Sequence, residues 1–384
     1  MSLRRVLPVF ASVALGLVLI VFLIRVGKTD VGSTLRQLQH VSRFVFIKLV
    51  LLNGLLIYLS TEKWRIVDAT LRGSSDLVPS RITSFAVSSA GMAMGLILPV
   101  QLGMAAARTF GTYLYGRALK RGTAGTVFEQ SFDLLVVALL SVASGATWLC
   151  GGGGVAWTAC ASAMIVLAML AVEPAFRLVQ RLPTCKPKHP TPDDPTPVRT
   201  QRERLLARAL GSCSELMHSN AVSASLARRL LLLSTVRFGV VVLMAGQTAE
   251  AIHSPIPLWQ MGAAIPFVVI ATAFALTPGG IGVNEVTSAT ALKLFGTPLD
   301  FGVQWALANR VLGIVVCYFV AACALAMLGV ERIIAAGTLG ANGKTGPEKV
   351  CSNVESRSAM DRNDPRSARS RKNVAASECG KRDQ

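Results

Sequence analysis

The chain carries a carboxylate and several helix-breaking residues inside a long apolar stretch. Residues 277–285 read TPGGIGVNE, and no Asp, Glu, Lys or Arg occurs from Ala251 through Asn284. Irregular backbone at membrane depth leaves N–H and C=O groups unpaired, which is strongly unfavourable wherever they face lipid. The segment is therefore predicted to line a polar cavity, with its glycines supplying the permissive backbone angles of a turn. Its candidate functional residues are Pro278, Gly279, Gly280, Gly282 and Glu285.

A carboxylate at membrane depth needs a partner, and Arg310 is the candidate partner of Glu285. Asn309, next to that arginine, is included in the candidate site. Asn284 or Thr287 is predicted to cap the following helix, whose positive end could then face an anion. Two alternatives stay open: the carboxylate lies at a hydrated mouth, and the guanidinium snorkels at the outer end of a span.

Four further ionisable residues could belong to a site. Arg108 could bind a lipid phosphate or lie at the cytoplasmic interface. Glu129 and Asp133 are four residues apart and therefore share a helix face; they are either functional partners or ordinary charges at the end of a span. Arg237 lies eight positions into an apolar run, where an ionisable residue indicates function by default unless it reaches the inner interface.

The composition determines which elements must position these residues. Of the 384 residues, 52% are apolar and 16% are charged, and the mean hydropathy is +0.51. This composition predicts an all-α polytopic membrane protein and excludes soluble classes. The net charge of +18 is attributed to cytoplasmic loops rather than to nucleic-acid binding. The cysteines and histidines show no metal-ligand spacing, so no metal and no cofactor is predicted.

Six apolar runs are long enough to cross a bilayer of about 30 Å. The predicted spans are residues 6–24, 44–61, 134–150, 155–172, 230–249 and 311–330. The tetraglycine at 151–154 predicts a tight turn between two antiparallel helices.

Two other apolar segments, 82–116 and 258–296, are rich in Gly, Pro and Ser and are predicted to be re-entrant helical hairpins. Basic stretches at 108–121 and 177–229 lie on the cytoplasmic side only if the first of these segments enters and returns. The basic loop 25–43 then falls outside, as an amphipathic helix at the interface.

These elements predict two membrane halves, residues 1–176 and 230–334. Between them lies a basic cytoplasmic linker, 177–229, and a disordered tail follows at 335–384. Both termini are predicted to be cytoplasmic, in the bacterial inner membrane.

The order of elements repeats in the two halves with opposite orientation. Each half has a span, a hairpin, a charged position and a second span. Pro99, at the first hairpin tip, precedes Gln130 by about as much as Pro278 precedes Arg310. Inverted repeats of this kind place paired broken helices around a substrate site near the membrane midplane. Pro99 is therefore included among the candidate site residues.

These motifs resemble the membrane-domain family of lysylphosphatidylglycerol synthases over roughly residues 5–330. The resemblance rests on Lys63-Trp64-Arg65, Leu98-Pro99 with Gly103, Glu129 through Asp133, and Thr277 through Glu285 with Arg310. The second hairpin matches the family's PGGxGxxE pattern. The chain departs from the family where Met104 replaces a frequent Glu and Gln130 replaces a frequent Arg.

The resemblance implies lipid translocation rather than lipid synthesis, because this chain lacks the soluble acyltransferase domain of the two-part synthases. The predicted function is a flippase-like protein that moves a phospholipid or an isoprenoid-linked lipid. The alternatives are a membrane-embedded glycosyl or aminoacyl transferase, with Glu129 and Asp133 as its acid–base pair, and an accessory scaffold. The expected partners are membrane lipids and lipid-synthesis enzymes.

Overall fold

A computed structural model of the chain describes residues 3–27, 29–70, 79–98, 100–114, 119–181, 223–275 and 277–342. Every regular element within these ranges is helical. The α-helices are α1 (Leu3–Gly27), α2 (Val31–Gln39), α3 (Arg43–Thr70), α4 (Arg81–Gly95), α5 (Val100–Leu114), α6 (Leu119–Leu149), α7 (Gly154–Arg181), α8 (Ala224–Ala251), α9 (Leu258–Phe274), α10 (Val283–Leu294) and α11 (Leu299–Asn342). One compact unit extends to Leu328, and a second begins at Gly329.

Five of these helices, α3, α6, α7, α8 and α11, are long and apolar enough to cross a membrane. Each contains or overlaps one predicted span. The remaining predicted span, 6–24, lies in α1, whose residues Val13–Gly27 form a shorter apolar helix. The chain is an all-α polytopic membrane protein, as its composition predicts.

The tetraglycine separates two antiparallel helices, as predicted. Helix α6 ends at Leu149, and Gly151 has a φ of +62°, a left-handed conformation that does not continue an α-helix. Helix α7 begins at Gly154. Trp157 Nε1 donates a hydrogen bond to Ser144 Oγ at 3.0 Å, which links the two helices across the turn. The basic loop 25–43 contains a helix, α2, whose N-cap is Asp30; its side chain accepts a hydrogen bond from Gly32 N. The position of this helix at the membrane interface stays a prediction.

Helices α4 and α5 form a tightly packed antiparallel pair. A Cβ placed on Gly103 would lie 2.6 Å from Gly95 Cα, and one placed on Gly91 would lie 2.9 Å from Ala107 Cβ. The small residues therefore let the two backbones touch. Each helix has 15 residues, or about 22 Å of length, which is less than the hydrocarbon thickness of about 30 Å.

Helices α9 and α10 form a second antiparallel pair, joined through a 3₁₀ turn at Pro278–Gly280. Gln260 Nε2 donates to Phe295 O at 2.8 Å, and Thr297 Oγ1 donates to Gln260 Oε1 at 2.7 Å. These bonds join the two ends of the pair that lie far from the turn. At 17 and 12 residues, both helices are also shorter than a full span.

Each helix pair packs against a span of the other half. Ala93 of α4 packs with Cys317 and Ala321 of α11, while α9 packs against α6. The corresponding spans α3 and α8 pack against each other. This reciprocal packing agrees with an inverted repeat, and the re-entry of the hairpins stays a prediction.

Two predicted regions fall mainly outside the described residues. Of the basic linker, residues 182–222 lie outside; its ends belong to α7 and α8. Helix α11 continues to Asn342, so the tail predicted from residue 335 begins within a helix, and residues 343–384 lie outside the description.

Candidate functional site

The tips of the two helix pairs meet. Gly279 N donates a hydrogen bond to Leu98 O at 3.1 Å. Gly279 has a φ of +56°, and a Cβ there would overlap Leu96 O. Both the left-handed backbone and the close approach therefore require glycine. Pro99 lies outside the described residues, directly after this contact.

Arg310 connects the second tip to Glu285. Its Nη1 donates to Gly279 O at 2.7 Å, and its Nε lies 3.6 Å from Glu285 Oε1. The other carboxylate oxygen accepts a hydrogen bond from Gly282 N at 2.7 Å. The Glu285 side chain is 1% exposed and lies in the first turn of α10; its position relative to the membrane surface stays a prediction.

The helix cap at this tip differs from the prediction. Asn284 and Thr287 lie inside α10, and neither caps it. Gly282, with a φ of +83°, precedes the first turn, and the Glu285 carboxylate itself accepts its N–H. A carboxylate at a helix N-terminus is stabilised by the helix dipole and by the unpaired amides.

Asn309 lies at a helix contact rather than in this ion pair. Its Oδ1 accepts a hydrogen bond from Thr248 Oγ1 at 3.3 Å. The bond joins α11 to α8, the two spans of the second half.

The other predicted ionisable residues gather with Lys63, which was not predicted, in a second group. This group is here called the charge cluster: Lys63, Arg108, Glu129, Asp133 and Arg237. Glu129 pairs with Arg108 through Oε2 and lies 3.2 Å from Lys63 Nζ through Oε1. Asp133 lies 2.5 Å from Lys63 and 3.1 Å from Arg237. Each carboxylate is therefore held between two cations from other helices.

Arg108 of α5 is completely buried among other helices, and its depth in the membrane stays a prediction. Its Nη2 donates to both Ser60 O and Ser60 Oγ at 2.9 Å, and its guanidinium lies 5.5 Å from the centre of the Trp64 ring. Together with the Glu129 pair, these contacts fix the first hairpin to α3 and α6. Glu129 thus contacts the hairpin directly rather than ending a span.

Lys63 is the member of the cluster that the sequence analysis missed as a site residue. It follows the predicted span 44–61 and was named there only within the Lys63-Trp64-Arg65 motif. Helix α3 continues to Thr70, which puts the lysine in the interior of the helix with 0% exposure. The opposite charges of Lys63 and Glu129, each close to one end of a predicted span, were the available signal.

A cavity of about 210 Å³ adjoins the charge cluster. Arg108, Glu129, Asp133 and Arg237 line one part of it, and residues of both helix pairs contribute to the wall, including Thr272 of α9. Met104 and Gln130, the two departures from the family pattern, also line this cavity.

The predicted ionisable site residues therefore form two groups: Arg310 with Glu285 at the second tip, and the charge cluster beside the cavity. Gly280 lies close to both groups. It belongs to the second tip, and a Cβ placed on it would lie 3.1 Å from Cγ2 of Thr272, a residue of the cavity wall. Across the described part of the chain, no three His, Cys, Asp or Glu side chains gather as metal ligands would.

Comparison with known proteins gives one match. No curated protein and no solved structure is significantly similar to the chain. The family described as the lysylphosphatidylglycerol synthase TM region matches residues 9–332, which include both helix pairs, the charge cluster and the second-tip ion pair. This chain belongs to the lysylphosphatidylglycerol synthase transmembrane-region family.

Proposed function

We propose that this protein is a flippase-like translocator of a phospholipid or an isoprenoid-linked lipid in the bacterial inner membrane, with both termini in the cytoplasm. The observation that carries the proposal is the cavity beside the charge cluster, enclosed by helices of both halves. A lipid head group cannot cross hydrocarbon without polar partners. A charged cavity between two interrupted helix pairs supplies such partners at membrane depth.

The size of the cavity supports head-group transport rather than enclosure of a whole lipid. At about 210 Å³ it is smaller than typical small-molecule pockets, which begin near 300 Å³. The acyl or isoprenoid chains would then stay in the bilayer while the head group passes through the protein.

The tip contact supports a gating role for the two helix pairs. Among the described residues, one backbone–backbone hydrogen bond, from Gly279 N to Leu98 O, joins the tips, and Arg310 braces the second tip through Gly279 O. Separation of the tips would break few bonds, and irregular backbone next to a polar cavity can take its hydrogen bonds from water instead.

The transferase alternative needs a carboxylate that is free to move a proton. All four oxygens of Glu129 and Asp133 lie within ion-pair distance of a cation. This arrangement favours a structural and electrostatic role for the two acids over general acid–base catalysis.

Reconstitution of the full chain in liposomes tests the proposal. Fluorescent phospholipid and polyprenyl-phosphate probes are placed in both leaflets, and a membrane-impermeant reductant bleaches the outer one. We expect additional bleaching in proteoliposomes compared with protein-free liposomes, because inner-leaflet probes reach the outer surface. If proteoliposomes and protein-free liposomes showed the same extent of bleaching with each probe, translocation would be refuted. A new lipid product that forms only with an activated donor would establish the transferase instead.

A further inference from the structure

The charge cluster is not electrically balanced. Its three cations, Lys63, Arg108 and Arg237, face two carboxylates, Glu129 and Asp133. With each group in its ordinary ionised form, one positive charge is left over. Lys63, Arg108 and Glu129 are 0% exposed, and an uncompensated charge in such an interior is strongly unfavourable. Asp133 and Arg237, whose side chains are 20% and 25% exposed, line the cavity. An anion bound in the cavity would therefore balance the cluster.

Two guanidinium nitrogens point to where that anion binds. Arg108 uses its Nη groups for Glu129 and Ser60, and its buried Nε has no acceptor among the described residues. Arg237 donates to Asp133 through Nη1, and its buried Nε likewise has no acceptor there. Both arginines line the cavity. Buried donors are almost always satisfied, and an acceptor bound in the cavity that both arginines line would satisfy these N–H groups.

The remaining wall is largely apolar, which defines the rest of the ligand. Met92, Met104, Leu134, Val137 and Val241 line the cavity together with the charged residues. A ligand that matches both parts carries an anion next to hydrocarbon. Phosphate oxygens are the acceptors that arginine binds most effectively, often through two parallel hydrogen bonds.

We infer that the cavity binds the phosphate monoanion of a lipid whose head group has a net negative charge, and that it discriminates against zwitterionic lipids. A phosphodiester supplies the one negative charge that the cluster lacks, and an added ammonium group would restore the imbalance. The lipid in this inference rests on the proposed function, whereas the preference for an anion rests on the cluster alone.

A substitution that adds one negative charge and preserves side-chain shape tests the inference. Gln130→Glu places a carboxylate on the cavity wall without removing any ion pair, while Gln39→Glu makes the same change at an exposed position on α2. Binding of phosphatidylglycerol and of phosphatidylcholine with the same acyl chains is measured on the detergent-solubilised full chain. We expect the wild type to bind phosphatidylglycerol at least about tenfold more tightly than phosphatidylcholine. One unit charge within several ångströms of the cluster, such as the ammonium group of phosphatidylcholine, changes affinity by about that factor.

The variants separate the outcomes. Gln130→Glu is expected to lose the preference for phosphatidylglycerol, and Gln39→Glu is expected to keep it. Arg237→Gln should also lose the preference for phosphatidylglycerol. Arg237→Lys retains the positive charge and should keep part of this preference. Thermal melting of each variant verifies that it is folded. Equal wild-type affinity for the two lipids, or a wild-type preference in folded Gln130→Glu, would overturn the inference.

Free phosphate carries the same acceptor oxygens as a lipid phosphate and is the other ligand that this cavity could bind. Competition with inorganic phosphate and with glycerol phosphate distinguishes it from a lipid, and we expect neither to displace phosphatidylglycerol at comparable concentration. Displacement by either at comparable concentration would overturn the lipid assignment. Because these measurements concern binding, a protein that prefers phosphatidylglycerol but moves no lipid in liposomes would contradict the proposed function and leave this inference intact.

Discussion

Gly279 N lies 3.1 Å from Leu98 O, and this hydrogen bond joins the tips of two helix pairs that are about 180 positions apart in the chain. The contact depends on the absence of a side chain, because a Cβ on Gly279 would overlap Leu96 O and would also lie 2.9 Å from Arg310 Nη2. The geometry of the tips is thus set by glycine as much as by the ion pair behind it.

Gly279→Ala should therefore lower the free energy of unfolding by about 1–3 kcal/mol, since alanine at positive φ is strained and its Cβ forces the tips apart. Gly145→Ala is the matched control, because a Cβ at that α6 position meets nothing within 4 Å. The control should be neutral or slightly stabilising. Unfolding by SDS titration in mixed micelles measures both, and equal stability would contradict a tight tip contact.

Arg310→Ala should destabilise the protein by about 3–5 kcal/mol, because it leaves the Glu285 carboxylate buried and unpaired. Glu285→Gln should cost less, since the amide oxygen can still accept the Gly282 N–H. The double variant should be more stable than Arg310→Ala alone, which a double-mutant cycle detects. Strictly additive losses would show that the two side chains act independently.

In liposomes, both Glu285→Gln and Arg310→Ala should abolish lipid movement while leaving membrane insertion intact, because each removes one side of the contact that braces the second tip. Bleaching of inner-leaflet probes measures the movement, and sedimentation with the vesicles verifies insertion. Wild-type rates in both folded variants would count against a role for this tip in translocation.

Glu129→Ala should destabilise the protein by about 3–5 kcal/mol, because Lys63 and Arg108 would lose a shared buried counter-charge. Glu62→Ala provides the comparison on α3. Its carboxylate lies 2.9 Å from Arg65 and is 22% exposed, and partly solvated pairs of this kind contribute about 0–1 kcal/mol. Similar losses in the two variants would mean that the charge cluster is effectively hydrated.

Labelling of single cysteines in a cysteine-free background tests whether the helix pairs re-enter. Cysteines at positions 81 and 113 mark the two open ends of the first pair, and cysteines at 258 and 294 mark those of the second; all four native residues are exposed. An impermeant thiol reagent should label the first two from the cytoplasmic side and the other two from the opposite side. Labelling of positions 81 and 113 from different sides would show that the first segment crosses the membrane.

The sequence by itself determined the fold class, because hydropathy and helix length have direct physical consequences in a bilayer. Runs of about 20 apolar residues must become helices that satisfy their own backbone. Glycine and proline at 277–285 had to interrupt such a run, and the three glycines at this turn do have positive φ. Local chemistry was sufficient for these features.

Only the tertiary structure decided which charges share a site. Lys63 and Glu129 are 66 positions apart, and nothing local to either residue specifies a separation of 3.2 Å between them. That distance follows from how α3, α5 and α6 pack, which depends on side chains along the whole length of each helix. The same packing separates Arg310 and Glu285 from the charge cluster and places Met104 and Gln130 on one cavity wall. Side-chain contacts between distant helices are a property of the packed bundle. Charge type and spacing therefore proposed Arg310 as the partner of Glu285, but they missed Lys63 and named no individual partners for Glu129 and Asp133.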